Sequence, residues 1–175
     1  MATMILLPDG QNNVSSDWLA IPFGQLPSNA LDDDNGNTSY VRCNDDGESM
    51  TIEFANPSVA ESDIASIDSV RFLSSGKAVH RTNPSLVDIA FEEPTAGFSE
   101  TCSYDAHRTS YETINGTPRT THDGTHAWAY ANLEALEMTC TKNGTVEVYL
   151  SYLAMEVTYT AAVAADNATF FGSNF

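Results

Sequence analysis

Apolar and polar residues alternate through segment 128–160, and this alternation is the strongest structural signal in the chain. Alternation with a period of two is typical of a strand with one buried face. Asn143-Gly144 interrupts the pattern, and Asn-Gly is the preferred dipeptide of a type I′ hairpin turn. The segment therefore predicts a short helical turn after Trp128, then two strands joined as a β-hairpin. The alternating apolar residues are Leu136, Met138 and Cys140 before the turn, and Val146, Val148 and Leu150 after it.

After Leu150 the apolar residues of the second strand move from even-numbered to odd-numbered positions. A β-bulge inserts one residue and so changes the parity of a strand, which predicts a bulge between Leu150 and Tyr152. Residues of both halves are then expected to face the core. The six that we predict to point inward are Met138, Cys140, Val146, Val148, Met155 and Val157.

Earlier segments show the same alternation between turn-forming residues. Together with the last two strands they predict an all-β protein, a single antiparallel β-sandwich or jelly roll of 7–8 strands with one short helix, over residues 32–160. Ser74-Ser75-Gly76 is expected to end one strand, and a further helical turn is expected within 58–67. The predicted strands lie at 40–43, 50–54, 70–73, 86–91, 98–104 and 111–114.

Both ends of the chain lack a strand pattern but contain large apolar side chains. Residues 1–31 are broken by three prolines and are predicted to form an extended N-terminal arm, with Trp18, Leu19, Ile21 and Phe23 as partner-binding residues. Residues 161–175 are predicted to form a C-terminal tail, which either packs on its own domain or docks into a neighbour. Its candidate anchors are Phe170, Phe171 and Phe175.

Length and charge limit the possible functions. A chain of 175 residues with 42% hydrophobic residues is sufficient for one domain with a substantial core. Its 24 acidic and 7 basic residues give a net charge of −17. We therefore expect no nucleic acid and no anionic membrane as a partner, because both require basic patches. Solubility, a salty medium and a cationic partner all remain explanations of the acidity.

Cys43, Cys102 and Cys140 each lie at an alternating position of a predicted strand. An unpaired cysteine packs like a small apolar residue. The three residues are therefore expected to be buried free thiols.

Candidate metal ligands and catalytic residues are few. His122 and His126 are separated by a glycine-containing loop, which is not expected to bring both rings to one face, so we predict no metal there. The acidic segment 32–37, and a second group at Asp45, Asp46 and Glu48, are interpreted as structural calcium sites or as solvated turns, and both interpretations are open. No G-x-S-x-G motif indicates a serine nucleophile. A glycosidase-type pair of carboxylates stays open among the 24 acidic residues, but nothing in the sequence singles out a pair. We predict no enzymatic activity and no cofactor.

The aromatic residues suggest two interpretations. Trp18 and Trp128 with Tyr104, Tyr111 and Tyr130 would form a platform for sugar rings if they were exposed together. Trp128 stands just before the predicted helical turn, where an aromatic residue is typically a core anchor. For Trp128 we expect the core.

The final segment resembles a recurrent pattern in virion proteins of tailed bacteriophages. Trp128 leads into A-x-A-x-L-x-A-L-x, and the last strand reads Met-Glu-Val-Thr-Tyr-Thr at 155–160. The Ile-Asp-Ser-Val segment at 67–70 and the Asp-rich turn before Tyr40-Val41 are also similar. The resemblance covers residues 31–160 and is a pattern, without an active-site motif. Such proteins are often small, acidic, single-domain β-sandwiches from marine phages.

The resemblance implies a non-enzymatic structural protein of the virion. Because Met1 stands just before the domain, a capsid decoration (cement) protein on the head surface fits better than a segment of a large fibre. The implied partners are the major capsid protein and further copies of this chain, with a trimer as one arrangement. The implied location is the capsid surface, after synthesis in the host cytoplasm. The alternative is a carbohydrate- or receptor-binding β-sandwich module of a tail or head fibre.

Overall fold

A computed structural model describes residues 1–32, 38–79, 83–93, 98–105 and 110–163. Within these ranges the chain forms eleven strands, two short α-helices and one 3₁₀ turn at Glu61–Asp63. The helices are α1 (Pro27–Leu31) and α2 (Tyr130–Glu134). The strands are β1 (Ala2–Leu6), β2 (Pro8–Asn12), β3 (Leu19–Ile21), β4 (Tyr40–Cys43), β5 (Ser49–Phe54), β6 (Ile64–Ala78), β7 (Ser85–Glu93), β8 (Phe98–Tyr104), β9 (Glu112–Asn115), β10 (Glu137–Asn143) and β11 (Val148–Ala161).

These strands pair antiparallel in two sheets, which form the β-sandwich that the sequence predicts. The six-stranded sheet has the order β3-β4-β11-β6-β9, with β1 paired to the later part of β11. The five-stranded sheet has the order β2-β5-β10-β7-β8. Each sheet turns its apolar face toward the other, because alternate side chains of a strand point to opposite faces.

The core contains all six residues that were predicted to point inward. The most exposed of them, Val146, retains 8% of its accessible surface. Cys43, Cys102 and Cys140 are buried free thiols, as predicted. Burying apolar surface of this kind contributes about 25 cal/mol per Å² and is the main favourable term in folding.

A bulge in β11 keeps both halves of this long strand directed into the core. Its register against β6 shifts between Leu150 and Tyr152, where the sequence predicts the bulge. Leu150 and Leu153 are both fully buried, although their odd spacing would place them on opposite faces of a regular strand.

The prediction that the last two strands form a hairpin is wrong. β10 belongs to the five-stranded sheet and β11 to the six-stranded sheet, so Asn143-Gly144 leads from one sheet to the other. β10 is paired with β5 on one edge and β7 on the other, which leaves it no edge for β11. Of the two turn residues, only Gly144 has a positive φ, of 76°. A type I′ turn requires a positive φ at both of its central residues. The Lys142 ammonium stabilises the turn by donating to the carbonyls of Asn143 and Gly144, at 2.9 and 2.6 Å.

Residues 1–31 do not form an arm, and the predicted domain boundary at residue 32 is therefore wrong. They contribute β1, β2, β3 and α1, which raises the number of strands above the predicted 7–8 and the number of α-helices above one. Met4 and Leu6 alternate toward the core from β1. Pro8 begins the edge strand β2, a position where the missing N–H is tolerated. Pro27 occupies the first turn of α1, where proline is also tolerated.

β6 continues through Ser74-Ser75-Gly76, where the sequence predicted its end. Gly76 lies under the ring of Tyr104, and a Cβ at this position would come within 2.7 Å of that ring. The glycine thus serves close packing between the two sheets. Elsewhere, the helical turns expected after Trp128 and within 58–67 are present as α2 and the 3₁₀ turn. Among the described residues, none of the helices is of sufficient length and apolarity to cross a membrane.

Candidate functional site

The outer surface of the six-stranded sheet carries a row of aromatic and basic side chains. Tyr149 on β11 pairs with Arg42 on β4 and with Lys77 on β6. Val148 and Leu150 on either side of Tyr149 are buried, so Tyr149 and its two partners point away from the core. The neighbouring strands therefore bring these side chains together from positions far apart in the sequence.

Ring stacking and cation–π contacts hold this row together. The rings of Tyr40 and Tyr149 stack with centroids 4.9 Å apart and planes at 22°. The ammonium of Lys77 lies 5.4 Å from the Tyr149 centroid and 4.5 Å from that of Tyr111. Such contacts between partly exposed groups are worth about 0.5–1 kcal/mol each. We call the surface formed by Tyr40, Arg42, Lys77, Tyr111 and Tyr149 the tyrosine face.

A polar groove of about 290 Å³ adjoins the tyrosine face and shares Arg42 with it. The Arg42 guanidinium lies 3.6 Å from the Glu147 carboxylate across the groove. The lining thus offers guanidinium and amide donors beside carboxylate acceptors, a combination that can hydrogen-bond hydroxyl groups in both directions. The lining residues are Asp17, Leu19, Arg42, Asn44, Asp45 and Glu147.

Partial burial affects the charges on this surface. Desolvation raises the pKa of Tyr149, and the nearby Glu147 carboxylate raises it further, so its phenol is neutral and can donate a hydrogen bond. Desolvation lowers the pKa of the Lys77 ammonium, which lies among the tyrosine rings. The face therefore combines tyrosine hydroxyls with two basic groups in a strongly acidic protein.

His122 and His126 form a second cluster of reactive side chains, on the loop between β9 and α2. Their rings lie side by side, with centroids 6.0 Å apart and planes at 28°. The expectation that this loop keeps the rings apart is wrong. A bridge between Thr121 and Ala127 closes a narrow turn, so the two histidines face each other across it and their side chains share one side.

The predicted partner-binding residues of the N-terminal segment have separate locations. Trp18 is buried, with 3% of its surface exposed, and its indole N–H donates to the carbonyl of Glu48 at 3.1 Å. Leu19 and Ile21 are half-buried on the edge strand β3, and Leu19 lines the polar groove. Phe23 is 86% exposed. Trp18 is thus a core residue, and of this set Phe23 alone is widely accessible.

The predicted C-terminal anchors Phe170, Phe171 and Phe175 lie outside the described residues, as does part of the acidic segment at 32–37. In the second acidic group, the Asp46 carboxylate accepts a hydrogen bond from the Gly144 N–H at 2.6 Å and so supports the turn. Within the described ranges, the group that brings three potential ligand atoms together is His122, Asp123 and His126.

The sugar platform proposed from the sequence does not form as such, because Trp18, Trp128 and Tyr104 are all buried. Trp128 is the core anchor that we expected, with its indole N–H donating to the Arg119 carbonyl at 2.8 Å. Of the candidate aromatics, Tyr111 belongs to the tyrosine face. Sequence reasoning missed Tyr40 and Tyr149, although Tyr149 stands between two inward-pointing residues and its outward direction was predictable.

No family model matches the chain, and no curated protein matches it. Among solved structures, a family 29 carbohydrate-binding module from Piromyces equi is similar at 8% identity and a TM-score of 0.39, covering 89% of this chain and 91% of that one. A CBM4 structure is similar at 8% identity and a TM-score of 0.33, covering 91% of this chain and 94% of that one. These likenesses concern the β-sandwich fold alone.

Proposed function

We propose that this protein is a non-enzymatic binding module that recognises a neutral carbohydrate at the tyrosine face and its groove. The observation that carries the proposal is the direct contact between the two surfaces, which share Arg42. Binding sites for small polar ligands combine aromatic surface with a few convergent polar groups. A sugar ring presents both C–H faces and hydroxyl groups, and so matches this combination.

The charge of the site favours a neutral sugar over an anionic one. Three carboxylates, of Asp17, Asp45 and Glu147, line the groove together with one guanidinium. The whole chain has a net charge of −17, which repels polyanions over the distance of a Debye length, about 8 Å at physiological salt. Sulfated or uronic-acid polymers are therefore disfavoured as ligands.

The proposal is tested by affinity electrophoresis in gels that contain neutral polysaccharides. Calorimetry with the matching oligosaccharide then measures the affinity. We expect retardation by at least one neutral glucan, mannan or xylan and none by alginate. Tyr40→Ala and Arg42→Ala should weaken binding by about tenfold or more, since central anchors of an interface commonly cost about 2 kcal/mol. Thr158→Ala, on the same sheet at the far end of β11, is the matched control and should bind normally. Equal binding by all three variants would contradict the proposal.

The second candidate is a capsid decoration protein, and exposed apolar groups near α1 favour it. Phe23 is 86% exposed and Leu26 is 55% exposed, and a solvated phenylalanine is a typical interface anchor. In this proposal the partners are the major capsid protein and other copies of the chain, and the location is the surface of the virion. That the particle is a phage head is the expectation that follows from the sequence resemblance to phage virion proteins.

Add-back of purified protein to phage heads stripped of it tests this second candidate. Phe23→Ala and a deletion of residues 165–175 should each leave the sandwich folded and reduce the number of bound copies. Val79→Ala removes another exposed apolar side chain, 48% accessible, and serves as the control. Full occupancy by both altered proteins would contradict attachment through these residues.

A further inference from the structure

The turn between Thr121 and Ala127 brings three metal-ligating side chains to one point on the surface. The backbone N–H of His122 donates to the carbonyl of His126 at 3.0 Å, which pairs the two histidines across the turn. One ring nitrogen from each histidine and one carboxylate oxygen of Asp123 all lie within 4.8 Å of one another.

Hydrogen bonds fix the position of the Asp123 carboxylate. Its Oδ1 accepts the backbone N–H groups of Thr125 at 2.9 Å and His126 at 2.6 Å, and its Oδ2 lies 2.6 Å from Nδ1 of His126. An anionic oxygen is thus held beside an imidazole before any ligand arrives.

His122 adds the observation that points most directly to a ligand. Its Nδ1 atom is buried, and within the described part of the chain it has no hydrogen-bond partner. Its ring meets Trp128 edge-on, with centroids 6.2 Å apart and planes at 61°. A buried nitrogen without a partner is unfavourable, and coordination of a cation by the cluster would offset that cost.

We propose that His122, Asp123 and His126 bind a divalent transition-metal ion, with zinc as the representative ion. Two imidazoles with one carboxylate are a ligand set for zinc, iron, nickel or copper, whereas calcium and magnesium prefer oxygen ligands alone. Ligand atoms about 2.1 Å from a tetrahedral zinc ion lie about 3.4 Å apart. Separations of up to 4.8 Å in the cluster must therefore shorten, and the 2.6 Å contact between Asp123 Oδ2 and His126 Nδ1 must open if both atoms bind the ion. Water completes the coordination, because the side chain of His126 is 73% exposed.

This site is independent of carbohydrate binding. A β-bridge pairs Val70 on β6 with Arg119, which lies two residues before the turn begins. Lys77 of the tyrosine face lies seven residues further along β6. At the rise of a strand, seven residues span about 23 Å. Loss of the metal should therefore leave sugar binding unchanged, and substitutions in the tyrosine face should leave metal binding unchanged.

The inference is tested by titrating the untagged protein with zinc chloride. Calorimetry measures the binding, and NMR spectra monitor the two indole N–H signals. We expect one zinc ion per chain and a shift of the Trp128 signal, because His122 contacts that ring. The Trp18 signal should stay fixed, since its indole N–H is bonded to Glu48 in another part of the fold. Calcium chloride at the same concentration should produce neither effect.

Conservative variants separate coordination from folding. His122→Phe keeps an aromatic ring against Trp128, and Asp123→Asn keeps an oxygen that can accept the two backbone N–H groups. Each, like His126→Phe, should melt close to wild type without metal and bind zinc about tenfold or more weakly. The absence of zinc binding by the wild-type protein, or wild-type affinity in both histidine variants, would overturn the proposal.

Discussion

The aromatic ring of Tyr104 on β8 lies directly over Gly76 on β6, and a Cβ added at Gly76 would stand 2.7 Å from two ring atoms. The two residues belong to opposite sheets, and Tyr104 also hydrogen-bonds Ser74 through its hydroxyl at 2.9 Å. This contact sets the spacing of the sandwich at that point, because protein interiors have little free volume to absorb an extra methyl group.

We therefore expect Gly76→Ala to destabilise the protein by about 1–3 kcal/mol through overpacking. Urea denaturation followed by circular dichroism measures the effect. In a Tyr104→Leu background the same substitution should cost less, because the ring is gone and the contact of the added Cβ with Leu150 Cδ2, at 2.8 Å, remains. Equal costs in both backgrounds would show that the Tyr104 contact does not determine the need for glycine.

The second half of β11 provides a test of the bulge. Val157 is fully buried, whereas its neighbour Thr158 points to the outer face. Val157→Asp should unfold the domain, because an unpaired buried charge costs on the order of 4 kcal/mol. Thr158→Asp introduces the same group one residue away and should melt close to wild type. A folded Val157→Asp protein would contradict the assigned register of β11.

Accessibility of the three thiols tests the packing of the core. Cys43, Cys102 and Cys140 are each 1% exposed or less. A thiol reagent near neutral pH should therefore react with none of them in the native protein. After denaturation without reductant it should titrate all three. Recovery of a single thiol would indicate a disulfide, and rapid reaction of the native protein would indicate an open core.

The same thiols predict a loss of stability in base. Burial raises the pKa of Cys43 and of Cys102 from 9.0 to about 11, and it raises the pKa of Cys140 further. Since the fold favours the neutral thiol, this stabilisation is complete below pH 9 and is lost as the pH rises from 9 through 11. The free energy of unfolding should fall over that interval. The free energy of unfolding of Cys102→Ala should fall less steeply with pH than that of the wild type. An identical slope in both proteins would contradict an origin in the buried thiols.

Sequence patterns predicted those features that depend on neighbouring residues. The parity change after Leu150 identified the bulge, and the alternation around Cys140 identified the inward face. Pairing between sheets depends on distant segments, so the same reasoning wrongly joined β10 and β11 at Asn143-Gly144. It also assigned residues 1–31 to an arm, because short strands interrupted by prolines carry too few alternating positions to be recognised.

The candidate sites were less predictable than the fold for the same reason. Tyr40, Lys77 and Tyr149 lie on three strands that are adjacent only in the folded sheet, and no local spacing connects them. His122 and His126 are close in sequence, but their common direction depends on the bridge between Thr121 and Ala127. Glycine in the intervening loop was taken as a sign of divergence, whereas it permits the narrow turn, with Gly124 at φ +80°.

The most direct test of carbohydrate binding is a titration of isotope-labelled protein with the oligosaccharide identified by the binding screen, followed by NMR amide shifts. If the tyrosine face and its groove form the site, the largest shifts will occur at Tyr40, Arg42 and Tyr149. The signals of Thr51 and Thr139, whose hydroxyls are bonded to each other on the five-stranded sheet, will stay in place. Shifts confined to Thr51, Thr139 and their neighbours, or no saturable shifts with any neutral oligosaccharide, would contradict the proposed function.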